Sequence, residues 1–157
     1  MPEQVPEGRL MPHTHIDNVM HFVFSTHERR PLIQPDLQPH LWAYMGGIAK
    51  KHGVRPLKIG GMEDHIHMLL GLPSELAPAK AMQLIKGGSS KWFRETHVKG
   101  FAWQAGFGGF SVSGSLVPRV AEYITNQKEH HGKFDFKEEY LLLLKKHNIA
   151  YDPKYLW

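Results

Sequence analysis

The spacing of apolar residues constrains the fold of this 157-residue chain more than any other feature of its sequence. A stretch rich in valine and phenylalanine, 17–25, has the composition of a buried strand. An amphipathic helix is predicted at about 37–52, and two strands are predicted at 54–62 and 64–70. Gly60-Gly61 predicts a tight hairpin between these two strands.

The second half of the chain continues this alternation. It contains a predicted helix at about 79–97, a short strand at 109–113, a third helix at about 116–131 and a last amphipathic helix at about 135–147. The order strand, helix, strand, strand, helix, strand is the split βαβ pattern. We therefore predict an α+β, ferredoxin-like sandwich with helices on one face of an antiparallel sheet. The helix that carries Tyr123 is an addition at the C-terminal side.

Length and composition indicate a single globular domain. Hydrophobic residues make up 41% of the chain and charged residues 22%. We expect a loose N-terminal arm at 1–16, one domain at 17–147 and a C-terminal tail at 148–157. No stretch near the start resembles a signal peptide, and the longest apolar run, Tyr140–Leu144, is too short to span a bilayer. We therefore expect a cytoplasmic protein with no membrane partner.

The chain has no cysteine, which excludes disulfides, thiolate nucleophiles and thiolate metal ligands. Any metal site must use imidazole, carboxylate or amide ligands. The formal net charge of +4 favours a polyanionic partner, although many proteins are mildly basic.

His65 and His67 are candidate metal ligands because alternate residues of a strand point to the same face. With 12 histidines in the chain, about one His-x-His triplet is expected by chance. A second triplet, His13-Thr14-His15, lies in the predicted arm. His65 and His67 differ because their strand continues as Met68-Leu69-Leu70, which holds them at the edge of a core. Ordinary strand histidines remain the alternative, and two ligands are half a site.

The helix at 116–131 carries the candidate nucleophile. Tyr123 and Gln127 are four residues apart and therefore share a helix face, and His130 lies on the same side. The tyrosine hydroxyl, with a pKa near ~10, needs a cation or a base to become a nucleophile. The amide oxygen of Gln127 suits Mg²⁺ or Mn²⁺. An ordinary amphipathic helix with a solvated tyrosine fits the same spacing.

These residues together resemble those of a known family. His65-Ile66-His67 in GGMEDHIHMLLGLP and Tyr123 in EYITNQKEHH are similar to the single-tyrosine HUH transposases, which comprise insertion-sequence-200-type enzymes and REP-associated tyrosine transposases. HFVFSTHERRPLI at 21–33, IKGGSSKWF at 85–93 and WQAGFGGFSVSGS at 103–115 fall in the order of the family. The resemblance covers roughly 18–144.

The resemblance implies a ferredoxin-like fold and an enzyme that cleaves and rejoins single-stranded DNA near hairpins through a 5′-phosphotyrosine. It implies that His65 and His67 bind a divalent metal, Mg²⁺ or Mn²⁺, and that Gln127 completes the metal site. Tyr123 matches the nucleophile. It further implies a homodimer, in which the tyrosine helix of one subunit can serve the histidines of the other.

A DNA-binding surface is predicted from cations and hydroxyls that suit phosphate groups. Its candidate residues are Arg29, Arg30, Lys86, Ser89, Ser90 and Lys91. A solvated helix face is the alternative for each basic residue. Two other functions remain open: a domesticated hairpin-binding protein that no longer cleaves DNA, and a histidine-rich metal hydrolase that uses water instead of Tyr123.

Overall fold

The computed structural model describes residues 14–133 and 135–156. The predicted arm at 1–16 therefore lies largely outside the described residues, and so does His13 of the second triplet. Four strands form one antiparallel sheet in the order β2-β3-β1-β4. They are β1 (Val19–Ser25), β2 (Arg55–Gly61), β3 (His65–Gly71) and β4 (Gly108–Val112).

The helices of the described chain follow the predicted order. They are α1 (Gln38–Lys51), α2 (Pro78–Thr96), α3 (Val117–Thr125), α4 (Gln127–His130) and α5 (Phe136–Lys146). Short 3-10 turns lie at His27–Arg29, Gly114–Leu116 and Pro153–Tyr155. The α+β fold with a ferredoxin-like order of elements is confirmed. In the described part of the chain, no helix has the length and apolar character needed to cross a bilayer.

The main core lies between one face of the sheet and helices α1 and α2. Phe22 and Phe24 of β1 point to this face together with Ile66 and Met68 of β3, because side chains of a strand alternate between its two faces. The two helices contribute the remaining buried side chains, among them Leu41, Met45, Met82, Ile85 and Phe93. This layer matches the predicted sandwich.

The C-terminal helices cover the opposite face of the sheet. Ile124 of α3 packs on Val19 and Leu69. Phe136, Tyr140 and Leu144 of α5 pack on Val23 and Phe110. The sheet is therefore covered on both faces, and the side chains of His65 and His67 lie beneath α3 and α5.

The predicted turn at Gly60-Gly61 is wrong. Both glycines belong to β2 and pair with His67 and Ile66. The turn is formed by 62–64, where the backbone N–H of Met62 donates to the carbonyl of His65 at 3.0 Å. A Cβ on Gly61 would lie 2.2 Å from that carbonyl oxygen, so glycine is required there by the close approach of two backbones.

The single helix predicted at 116–131 is also wrong. Helix α3 ends at Thr125, and Asn126 departs from helical geometry with φ −93° and ψ 26°. Helix α4 then begins at Gln127. The amide of Gln127 is buried against His65 and Glu139. Local helix propensity does not reveal these tertiary contacts.

Candidate active site

His65 and His67 lie on the face of β3 that α3 and α5 cover, and both are fully buried. Ile66 and Met68 point into the main core on the other face, as predicted. The structure brings Tyr123 and Gln127 to the same place: Oε1 of Gln127 lies 3.0 Å from Nε2 of His65. The four residues singled out in the sequence thus form one cluster within a single chain.

A fifth residue, Glu139 of α5, lies at the centre of this cluster. Its side chain is 1% exposed. Oε1 lies 2.9 Å from Nε2 of His67 and accepts a hydrogen bond from Nε2 of His131 at 3.1 Å. Oε2 accepts hydrogen bonds from the hydroxyl of Tyr123 and, at 3.2 Å, from Nε2 of Gln127. One carboxylate therefore contacts the candidate nucleophile and the candidate metal ligands.

The proton of His65 is fixed by its neighbour Asp64. Nδ1 of His65 lies 2.8 Å from Oδ1 of Asp64. Burial alone would raise the pKa of Asp64, but the hydrogen bond and the charge of His65, together with a backbone hydrogen bond and the charge of His131, outweigh burial and lower that pKa. The carboxylate is thus an acceptor, and Nδ1 of His65 carries a proton. In a neutral ring Nε2 then presents a lone pair.

That lone pair faces other acceptors. Nε2 of His65 lies 3.0 Å from Oε1 of Gln127 and 3.4 Å from Oε1 of Glu139. Three acceptor atoms at these distances repel one another unless a positive charge, either a proton or a metal cation, lies among them. A positive charge placed among these atoms would therefore be stabilised by all three of them.

The donor set fits a divalent cation. Ligand atoms of His65, His67 and Glu139 all lie within 4.8 Å of one another. With the amide oxygen of Gln127 they offer two nitrogen and two oxygen donors, a set that suits Mn²⁺ and also admits Mg²⁺. The sequence analysis did not identify Glu139 as a member of this set.

Burial and charge set the ionisation of the cluster. Burial would raise the pKa of Glu139, but its contacts with the imidazoles of His131 and His67 hold that pKa well below its usual range. Burial lowers the pKa of His67, and burial with the nearby His67 lowers the pKa of His21 to about 3. Burial and the carboxylate of Glu139 raise the pKa of Tyr123 well above its ordinary value. The tyrosine hydroxyl is thus held protonated in the absence of a further charge.

A family model described as "Transposase IS200 like" matches residues 15–127, about three quarters of the chain.

The chain belongs to the IS200-like transposase family.

Two solved structures have a fold similar to that of this transposase. A Deinococcus radiodurans protein described as a transposase has 20% identity and a TM-score of 0.60, covering 80% of this chain and 98% of that one. A REP-associated tyrosine transposase bound to a REP hairpin has 16% identity and a TM-score of 0.58, covering 85% of this chain and 76% of that one. The comparison with curated proteins gives no match.

The predicted DNA-binding residues of the transposase lie in different environments. Arg30 and Lys91 are exposed, whereas Arg29 and Ser90 are half-buried. Ser89 is fully buried, and its hydroxyl accepts a hydrogen bond from Trp103 at 3.0 Å. Its side chain packs in the core in this structure, and a phosphate contact by Ser89 stays a prediction.

Lys86 links helix α2 to the loop before β4. Its Nζ donates to the carbonyls of Gln104 at 2.9 Å and Gly106 at 2.7 Å, and it lies 4.9 Å from the centre of the Phe24 ring. Burial lowers the pKa of Lys86 to about 8. This lysine therefore holds the loop, and a DNA contact by Lys86 would require it to exchange these carbonyl partners.

A groove adjoins the cluster between strand β2 and helices α3 and α4. It encloses about 400 Å³. Gln127 forms part of its wall, so the groove adjoins the cluster at that residue. Lys58, Lys128 and Asn126 supply polar groups, and Trp42 supplies an aromatic side chain.

Proposed function

We propose that this transposase cleaves and rejoins single-stranded DNA near hairpins, with Tyr123 as nucleophile and a divalent cation, Mg²⁺ or Mn²⁺, bound by His65, His67, Gln127 and Glu139. One observation carries the proposal: Tyr123 and His67 contact the two oxygens of the same buried carboxylate. The nucleophile therefore lies beside the cation ligands within one chain.

In the proposed reaction the Tyr123 oxygen attacks the scissile phosphorus. The new bond joins that oxygen to phosphorus, and the bond from phosphorus to the 3′ oxygen breaks. The products are a 5′-phosphotyrosine and a 3′-hydroxyl, so the phenolic hydrogen ends, overall, on the 3′ oxygen. Oε2 of Glu139 already accepts the hydrogen bond of this hydroxyl and is the atom placed to hold its proton. When bound, the cation supplies positive charge that stabilises the phenolate and the phosphate oxygens.

The groove beside Gln127 is the proposed path of the DNA strand. Lys58 and Lys128 offer positive charge to its phosphates, and the ring of Trp42 offers a surface on which an unpaired base can stack. Such stacking contributes roughly 1–3 kcal/mol per base. The similar fold of a transposase bound to a REP hairpin supports a hairpin substrate.

The test is formation of a covalent protein–DNA adduct. A labelled single strand that contains a hairpin, scanned from the genomic flanks, is incubated with the protein and Mg²⁺ or Mn²⁺. We expect an adduct with the natural protein and none with Tyr123→Phe, which removes only the attacking oxygen. Tyr151→Phe is the matched control because Tyr151 is exposed. Addition of a chelator should also abolish the adduct.

Three outcomes would contradict the proposal. An undiminished adduct in Tyr123→Phe would assign the nucleophile elsewhere. Salt-dependent hairpin binding with no adduct under either metal would favour the hairpin-binding protein that does not cleave. Cleavage that needs His67 but not Tyr123 would instead favour the water-dependent hydrolase.

A further inference from the structure

A third buried histidine, after His65 and His67, contacts the cluster from the neighbouring strand. His21 of β1 is 4% exposed, and its Nε2 lies 2.8 Å from Nδ1 of His67. Their ring centres are 5.0 Å apart and the ring planes differ by 28°, which fits a hydrogen bond lying close to both planes. The function proposed above gives His21 no role.

The sheet itself places these two rings together. His21 lies opposite Leu69 of β3, and His67 lies opposite Val23 of β1. The two histidines are therefore diagonal neighbours on one face of an antiparallel pair, within reach of each other. The rings of Phe110 and Tyr123 lie 6.2 Å and 6.3 Å from that of His21, which confines it.

The geometry makes His21 a partner of a ligand rather than a ligand. Nε2 of His67 faces Glu139 and the other donor atoms, whereas Nδ1 of His67 faces away from them toward His21. A neutral imidazole that binds a cation through Nε2 must carry its proton on Nδ1. That proton needs an acceptor, and Nε2 of His21 is at the required distance.

We propose that His21 is a positioning residue: its Nε2 accepts the Nδ1 proton of His67 and thereby fixes the ring of His67 with Nε2 free to bind the cation. The inference rests on the cation site of the proposed function. Asp64 has the same role for His65: its carboxylate lies 2.8 Å from Nδ1 of His65 and accepts the proton of that nitrogen. Both ligands thus have a fixed proton position, one through a carboxylate and one through a second imidazole.

The role of His21 is tested by measuring Mn²⁺ affinity by calorimetry on the full chain without DNA. His21→Phe keeps a ring but removes the acceptor, and we expect its affinity to fall about 10- to 100-fold, the usual effect of losing the partner of a ligand. His21→Gln retains an amide oxygen near the position of Nε2, so it should recover most of that loss. His52→Phe is the matched control because His52 is exposed at the end of α1, on the other side of the sheet.

The outcomes separate this inference from the proposed function. If His67→Ala abolishes Mn²⁺ binding but His21→Phe binds as tightly as the natural protein, the role of His21 is wrong and the cation site stands. If the natural protein shows no binding that depends on His67, the cation site is wrong and the inference falls with it.

A second measurement avoids any variant that fails to fold. In the natural protein loaded with a diamagnetic cation, nitrogen NMR of the histidine rings should place the proton of His67 on Nδ1 and leave Nε2 of His21 unprotonated. A proton on Nε2 of His21 that donates to His67 would overturn the inference.

Discussion

At the scale of single residues, Glu139 adds to the effect of burial on the ionisation of Tyr123. Burial is the largest cause of the raised pKa of Tyr123, and the charge and hydrogen bond of Glu139 raise that pKa further. A negative carboxylate opposes formation of a negative phenolate, so removing its charge must lower the pKa. We expect Glu139→Gln to move the pKa of Tyr123 down toward, but not to, its ordinary value of about 10.

The measurement is a pH titration of tyrosine ring-carbon signals by NMR in metal-free protein, with the Tyr123 signal assigned by its loss in Tyr123→Phe. Glu138→Gln is the matched control, because Glu138 is the exposed neighbour on α5. A Tyr123 pKa that is unchanged or higher in Glu139→Gln would show that burial alone sets it.

The sequence pointed to four residues of this cluster and missed Glu139 and His21. Tyr123 and Gln127 were found from helical spacing, and His65 and His67 from strand alternation. Glu139 lies 72 residues beyond His67 in a charged stretch typical of a solvated face. One signal was available: Glu139 follows Phe136 by three residues and precedes Tyr140, so it interrupts the apolar stripe of α5. His21 likewise lies between Val19 and Val23 on a buried strand face.

At the scale of elements, the predicted helices and strands agree with the structure within about two residues, except where tertiary contacts decide. Local propensity favours one helix through 116–131, but the chain breaks at Asn126 where Gln127 enters the buried cluster. Gly60-Gly61 has the composition of a turn, yet both residues pair in β2. Neither contact is encoded in the local sequence, so neither outcome was predictable from it.

Gly61 provides a test of this close approach. A methyl group there would lie 2.2 Å from the carbonyl oxygen of His65 and 2.9 Å from Cα of Ile66, both backbone atoms. We expect Gly61→Ala to lower the free energy of unfolding by about 1–3 kcal/mol, since the strands must separate. The same movement displaces His65, so Mn²⁺ affinity should fall as well.

Gly47 is the matched control for this substitution. It lies inside α1, and a methyl group there would meet no atom within 4 Å. Gly47→Ala should raise the free energy of unfolding by about 0.5–1 kcal/mol, because glycine is a poor helix former. Urea unfolding measures both changes. Equal stability of the two variants would contradict a backbone contact at Gly61.

At the scale of the whole molecule, the two faces of the sheet differ in what they bury. One face and helices α1 and α2 form the apolar core that stabilises the fold. The other face carries the buried histidines, and α3 and α5 bring Tyr123 and Glu139 to them. The split βαβ order predicted the first layer. The second could not be derived from it, because that order does not determine which face later helices cover.

Helices α3 and α5, which carry Tyr123 and Glu139, belong to the same chain as His65 and His67. We therefore expect each subunit of any dimer to hold a complete site. A mixture of Tyr123→Phe and His67→Ala subunits tests this. If sites form within one chain, every subunit lacks either the nucleophile or a ligand, and adduct formation stays at the level of the separate variants. If the tyrosine helix is exchanged between subunits, a mixed dimer contains one site with both groups intact, and the adduct reappears. Mixing each variant with natural protein provides the control for subunit exchange.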